Sequence, residues 1–123
     1  MRLLVVDDEL DTAQTIALLL THDGHKVSYA VTAKAALEIA AEQRPNVIVL
    51  DLALPDMDGI ELARRLKALD GGRQTRIVAI TGRLDDAESL ARAAGCERLL
   101  RKPVTPQALD AIIREGPGPR STE

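Results

Sequence analysis

Aromatic side chains are almost missing from this 123-residue chain: Tyr29 is the one ring, and there is no Phe and no Trp. The core must therefore be aliphatic, packed from Leu, Ile, Val and Ala, which the hydrophobic fraction of 46% supplies. Cysteine is equally scarce. Cys96 stands alone, which excludes an intramolecular disulfide, and Ala94-Gly95-Cys96 reads as a helix end rather than a nucleophile site. Long hydrophobic runs are absent too. The N-terminal apolar stretch is interrupted by Asp7, too early for a signal peptide or a membrane span, so the expectation is a cytoplasmic protein with no membrane partner. An excess of positive charge is also lacking. With 16 basic against 19 acidic residues, net -3, no direct contact with nucleic acid is expected. Arg64-Arg65 and the scattered Arg73, Arg76, Arg83, Arg92, Arg98 and Arg101 read as a solvated surface rather than a basic patch.

The length is that of one domain, able to bury about two thirds of its unfolded surface and to fold without staples. Apolar runs at Leu3 to Val6, Val47 to Leu50 and Ile77 to Ile80, with weaker ones at Lys26 to Tyr29 and Arg98 to Arg101, predict five strands. Segments of helical period lie between them. Leu10, Ala13, Ile16, Ala17 and Leu20 mark a first helix closed by Asp23-Gly24, and Ala33, Ala36, Leu37 and Ala40 mark a second. Asp58 with Glu61 reads as a capping box opening a third helix through Leu62, Leu66 and Leu69, stopped at Asp70-Gly71-Gly72. A fourth is expected from about Leu84 to Ala94. Thr105 as N-cap and Pro106 open a fifth, with Leu109, Ile112 and Ile113 inward. Strict alternation of five strands and five helices predicts an α/β fold with a doubly wound, five-stranded parallel sheet of the flavodoxin-like kind, strand order 2-1-3-4-5. The domain is expected over residues 1-115. Residues 116-123, rich in Gly and Pro, read as a disordered tail or linker stump.

Strands of a parallel sheet end on one shared edge, where such sheets bind ligands, and here each notable polar group follows a strand. Asp7-Asp8 follow the first, Asp51 the third, Thr81 the fourth and Lys102 the fifth. Two unit charges about 4 Å apart repel by roughly 4 kcal/mol at an effective dielectric near 20, so three carboxylates together call for a cation. A carboxylate nucleophile needs an electrophile whose negative charge is offset, as a hard divalent ion offsets it. Lys102 adds positive charge to the same oxygens, and the Thr81 hydroxyl donates to one of them. The set suits phosphoryl transfer to Asp51. Asp56 and Asp58 read as turn and cap residues, and His22 and His25 as surface residues near a helix end.

VVDDE at Val5 to Glu9, VIVLDLALPDMDG at Val47 to Gly59, AITG at Ala79 to Gly82 and RKP at Arg101 to Pro103 together resemble the receiver domain of two-component response regulators. The resemblance runs from Arg2 to about Glu115. It implies that Asp51 is the phosphoacceptor and that Asp8, Asp51 and the main-chain carbonyl of Ala53 bind Mg²⁺ (or Mn²⁺) directly, with Asp7 acting through a metal-bound water. It implies further that Thr81 and Lys102 contact the phosphoryl group and that the Lys102-Pro103 bond is cis. The implied phosphodonor is a sensor histidine kinase or a histidine phosphotransfer protein, and the implied output passes to a downstream protein or fused domain. No segment resembles a DNA-binding or enzymatic output domain.

The pattern departs at Leu99, where many receivers carry Tyr or Phe, so the family's threonine-aromatic switch does not carry over. Positions that tune phosphate loss in the family are Ala53 and Arg83. The Ala53 methyl cannot position an attacking water, whereas Arg83 can screen or clamp the phosphoryl group, and slow autodephosphorylation is the working hypothesis. Three rivals stand beside the receiver: a phosphorylation-independent interaction module, a Mg²⁺-dependent phosphohydrolase, and a nucleotide or flavin binder. The hydrolase would want an Asp at position 53, and the binder a phosphate-cradling loop where Asp7-Asp8-Glu9 stands.

Overall fold

A computed structural model describes residues 1–82 and 87–115. Strands β1 (Arg2–Val6), β2 (Lys26–Ala30), β3 (Val47–Asp51), β4 (Arg76–Thr81) and β5 (Arg98–Arg101) alternate with helices α1 (Leu10–His22), α2 (Ala33–Gln43), α3 (Gly59–Ala68), α4 (Ala87–Ala93) and α5 (Pro106–Glu115). All strand pairs are parallel, in the order β2-β1-β3-β4-β5. The expected tail, Arg83 and the expected start of the fourth helix at Leu84 lie outside the described residues.

The central strands read as unbroken apolar runs because both faces of the sheet are covered. Period-two alternation then divides them. Leu3, Val5, Val47, Val49, Val78 and Ile80 pack with Ala13, Ile16 and Leu20 of α1 and Leu109 and Ile113 of α5. Leu4, Val6, Ile48, Leu50, Ile77 and Ala79 pack on the other side with residues of α2, α3 and α4. Leu109 and Ile113 are fully buried, and each such side chain contributes about 1.5–3 kcal/mol. α1 and α5 thus share one face.

Several helix ends follow the expected chemistry. The Thr105 hydroxyl accepts from Ala108 N at 3.1 Å, and Gly24 takes a φ of +99° after α1, a conformation that favours glycine. At α3 only half of the capping box forms. Asp58 accepts from Ile60 N at 2.8 Å, while Glu61 pairs with Arg64 and Arg65 on its own helix instead of reaching back. α3 ends at Ala68, with Leu69 as its C-cap.

Two polar residues lie deeper than expected. His25 is buried, its Nε2 3.1 Å from Asp110 Oδ1 of α5, because α5 packs across α1 and supplies a partner that a surface histidine would not need. Arg76 is no solvated arginine. It holds Glu97 through two contacts of 2.8 Å and donates to the carbonyls of Ile112 and Ile113, tying β4 to the end of α5. Cys96 is buried after Gly95, and burial pushes its thiol up to about 11, which leaves it no thiolate for chemistry near neutral pH.

Candidate functional site

Strand register brings the site residues together. Val6 pairs with Leu50, so Asp7, the first residue beyond β1, stands beside Asp51, the last residue of β3. Asp51 pairs with Ile80 and Thr81 with Arg101, which sets Lys102 one step beyond β5, its amide donating to Thr81 O at 2.9 Å. Alternation carries the sequence 3-5-7, 47-49-51 and 100-102 to the face of α1 and α5, so Asp7, Asp51 and Lys102 share a side. The strand order reverses around β1, where β2 and β3 lie on opposite sides. This crevice at the carboxyl ends is where doubly wound sheets bind ligands.

Asp51 is 2% exposed, yet both of its carboxylate oxygens are engaged. Oδ1 accepts from Ala53 N at 2.9 Å and Oδ2 from Lys102 Nζ at 2.7 Å. That contact holds the Lys102 ammonium above its ordinary range, with the carboxylates of Asp7 and Asp8 adding to it. Burial pushes the Asp7 carboxyl up. A hydrogen bond from Glu9 N at 2.9 Å opposes the shift, and the neighbouring charge of Asp51 reinforces it. Asp8 is exposed and Thr81 is buried.

Asp7, Asp8 and Asp51 each offer a carboxylate oxygen, and these oxygens lie within 4.8 Å of one another. Three hard oxygen donors, two of them on buried residues and one, Asp7, with its carboxyl raised by burial and further by its like-charged neighbours, fit a hard divalent cation. Beside them a cleft of about 450 Å³ runs between α1 and the loop after β5, lined by Asp7, Thr12, Ile16, Ile80, Lys102 and Val104. The Lys102-Pro103 peptide is cis, as the resemblance implied. Leu99 is half-buried and packs against the α2–α4 side of the core.

The loop from Leu52 to Asp58 carries the neighbour of the phosphoacceptor candidate, and its polar residues serve two helices. Asp58 caps α3, as its sequence position indicates. Asp56 reaches away from its own element, its two oxygens accepting from Ala33 N at 2.8 Å and Lys34 N at 3.2 Å at the start of α2. Nothing in the local sequence marks that choice of helix. The only cue, a carboxylate in a turn, is common to Asp56 and Asp58.

An acidic pocket with an apposed lysine at the edge of a 2-1-3-4-5 sheet fits a phosphoacceptor site, and the comparisons with known proteins give the family. The chain belongs to the response regulator receiver domain family, whose model it matches over residues 3–114. Over 113 residues it is 37% identical to the transcriptional regulatory protein AfsQ1 of Streptomyces coelicolor, covering 91% of this chain and 49% of that protein. It is 35% identical to an uncharacterised 14.6 kDa protein of Leptolyngbya boryana, covering 94% of this chain and 88% of that one. Among solved structures, the chemotaxis response regulator CheY4 of Vibrio cholerae superposes with a TM-score of 0.86 at 26% identity, covering 93% of this chain and 96% of that one. The chain therefore spans about half the length of AfsQ1. Receiver domains are signalling domains, and response regulators interact with histidine kinases. Among the described residues no helix is long and apolar enough to cross a membrane.

Proposed function

We propose that Asp51 takes a phosphoryl group from a phosphohistidine of a sensor kinase or phosphotransfer protein, in the cytoplasm, and that the domain signals by protein contacts with a downstream protein or fused domain. The observation that carries this reading is the position of Asp51, buried between two other carboxylates and held at 2.7 Å by Lys102. An Asp51 carboxylate oxygen attacks phosphorus, the P–N bond breaks, and the electron pair leaves with the imidazole, which then takes up a proton. Asp7, Asp8 and Asp51, with the Ala53 main-chain carbonyl, are the groups assigned to Mg²⁺. When bound, Mg²⁺ offsets the negative charge of the phosphoryl oxygens.

Lys102 already faces Asp51 and remains beside the new acylphosphate, its charge passing from the carboxylate to the phosphoryl oxygens. Thr81, at the end of the adjacent strand, offers a hydroxyl to those oxygens. The Ala53 amide holds Oδ1, which leaves Oδ2, now paired with Lys102, as the oxygen that forms the bond. The hydrolase alternative would want a carboxylate at position 53 to activate water, and that residue is an alanine.

Intact mass after incubation with acetyl phosphate and Mg²⁺ tests the assignment. One added phosphate that needs Mg²⁺ and is lost in Asp51→Asn is the expected result. Absence of an adduct in the wild type, or its persistence in the variant, would overturn it.

A further inference from the structure

β3 is fixed by its neighbours up to Asp51, and Leu52 N still donates to Ile80 O at 3.0 Å. Beyond that the chain leaves the sheet, and seven residues separate Asp51 from the start of α3. Contacts within the loop and to α3 shape this stretch: Ala53 N to Asp51, an antiparallel bridge between Ala53 and Asp58, and Gly59 N to Leu52 O at 3.1 Å. Leu54 and Met57 rest on the core. These contacts hold the loop to β3, α3 and the apolar interior. Asp56 adds a directional tie to another element, the first turn of α2.

α2 does not depend on Asp56 for an ordinary cap. Thr32 is its own N-cap, with Oγ1 accepting from Ala35 N at 3.1 Å. Asp56 takes the two amides that Thr32 leaves, those of Ala33 and Lys34, from 23 and 22 residues away. A carboxylate accepting from two amides at the positive end of a helix forms charge-assisted bonds. The hydrogen bond from Ala33 N accordingly holds the Asp56 carboxyl below its ordinary range.

We propose that Asp56 is a positioning residue of the phosphoacceptor site, pinning the loop that carries Ala53 to the start of α2 so that the metal and phosphoryl ligands hold their places. The inference rests on the assignment of Mg²⁺ to Asp7, Asp8, Asp51 and Ala53 made above. A residue that orients ligands without touching the ion changes metal affinity by about 10–100-fold when removed. A residue that merely caps α2 changes the helix and leaves the loop alone.

Thr32→Ala provides the comparison, since it removes a cap from the same helix turn without touching the loop. Amide hydrogen exchange without metal and Mg²⁺ titration by amide chemical shifts are followed in wild type, Asp56→Ala, Asp56→Asn and Thr32→Ala. In Asp56→Ala, exchange at Ala53 and Gly59 is expected to rise above the wild-type rate and Mg²⁺ affinity to fall about tenfold. Asp56→Asn keeps one accepting oxygen and is expected to fall between. Thr32→Ala is expected to speed exchange at Ala35 and to leave Mg²⁺ affinity unchanged. Faster exchange confined to α2 in Asp56→Ala, with Ala53, Gly59 and Mg²⁺ affinity as in wild type, overturns the proposal. If the wild type binds no Mg²⁺, the metal assignment fails, while exchange at Ala53 and Gly59 still decides whether Asp56 positions the loop.

Discussion

Lys102 Nζ lies 2.7 Å from Asp51 Oδ2 although 51 residues separate them in the chain. The lysine side chain is 46% exposed and the aspartate side chain 2%, so a half-exposed lysine reaches in to meet a buried anion. The pair sets the charge balance of the site: Lys102 compensates Asp51 on one side, while Asp7 and Asp8 press on it from the other.

Lys102→Ala removes the donor that faces the oxygen on which charge is transferred. Phosphorylation by acetyl phosphate in Mg²⁺ is expected to slow about a hundredfold, the cost of losing one donor in a preorganised site. The variant leaves the buried Asp51 carboxylate without its cation and lowers stability, but the fold is expected to persist because Lys102 belongs to neither side of the apolar core. Single-turnover mass spectrometry checks the rate and circular dichroism the fold.

The raised Asp7 carboxyl gives the site a pH dependence of known sign. In the folded protein without metal it keeps its proton at pH values where the unfolded chain has lost it. Stability without metal therefore declines as pH rises from the ordinary Asp range through the raised value. Mg²⁺ needs the carboxylate, so its affinity runs the other way, weakening as pH falls through the same window. Asp7→Asn is expected to flatten both trends, to bind Mg²⁺ more weakly, and to unfold at higher urea than wild type at neutral pH without metal. Urea and Mg²⁺ titrations from about pH 4, near the ordinary Asp value, up to about pH 8 check the signs.

Two ion pairs of similar chemistry are expected to behave very differently. Arg76 and Glu97 have side chains 14% and 8% exposed, and Arg76→Ala strands a buried carboxylate, an expected loss of about 3–5 kcal/mol in urea unfolding. Arg44 and Asp70 are 65% and 93% exposed, and Arg44→Ala is expected to change stability by less than about 1 kcal/mol.

Gly59 opens α3 against the backbone of Leu52, and a Cβ built on it would lie 2.4 Å from Leu52 Cα. The obstacle is main chain rather than a movable side-chain tip. Gly59→Ala is thus expected to displace the loop beside Asp51 and to cost about 1–3 kcal/mol in stability, with Mg²⁺ binding weakened as well. Thermal unfolding and Mg²⁺ titration of the one variant test both effects.

Much of the molecule was legible because it depends on local periodicity. Apolar runs of strand length, helical stripes between them and the polar residue after each run fix the strands, their alternation with helices and the set Asp7, Asp8, Asp51, Thr81 and Lys102. Parallel strands ending on one edge then bring those residues together whatever the details of packing. Asp58 and Thr105 were legible as caps because a cap bonds to amides two or three residues away.

Tertiary structure alone decided the pairings in which the partner is remote. His25 and Asp110 meet across 85 residues, Arg76 and Glu97 across 21, and Asp56 and Ala33 across 23. A charged or polar residue in a turn reads as solvated until an element from elsewhere in the chain covers it. Whether it is covered depends on how helices settle on the sheet, since the burial of a polar group is favourable only when that packing also brings its partner. The sequence by itself determined the layered fold and which residues stand at the sheet edge; the packing of α2 and α5 decided which helix Asp56 holds and why His25 lies inside.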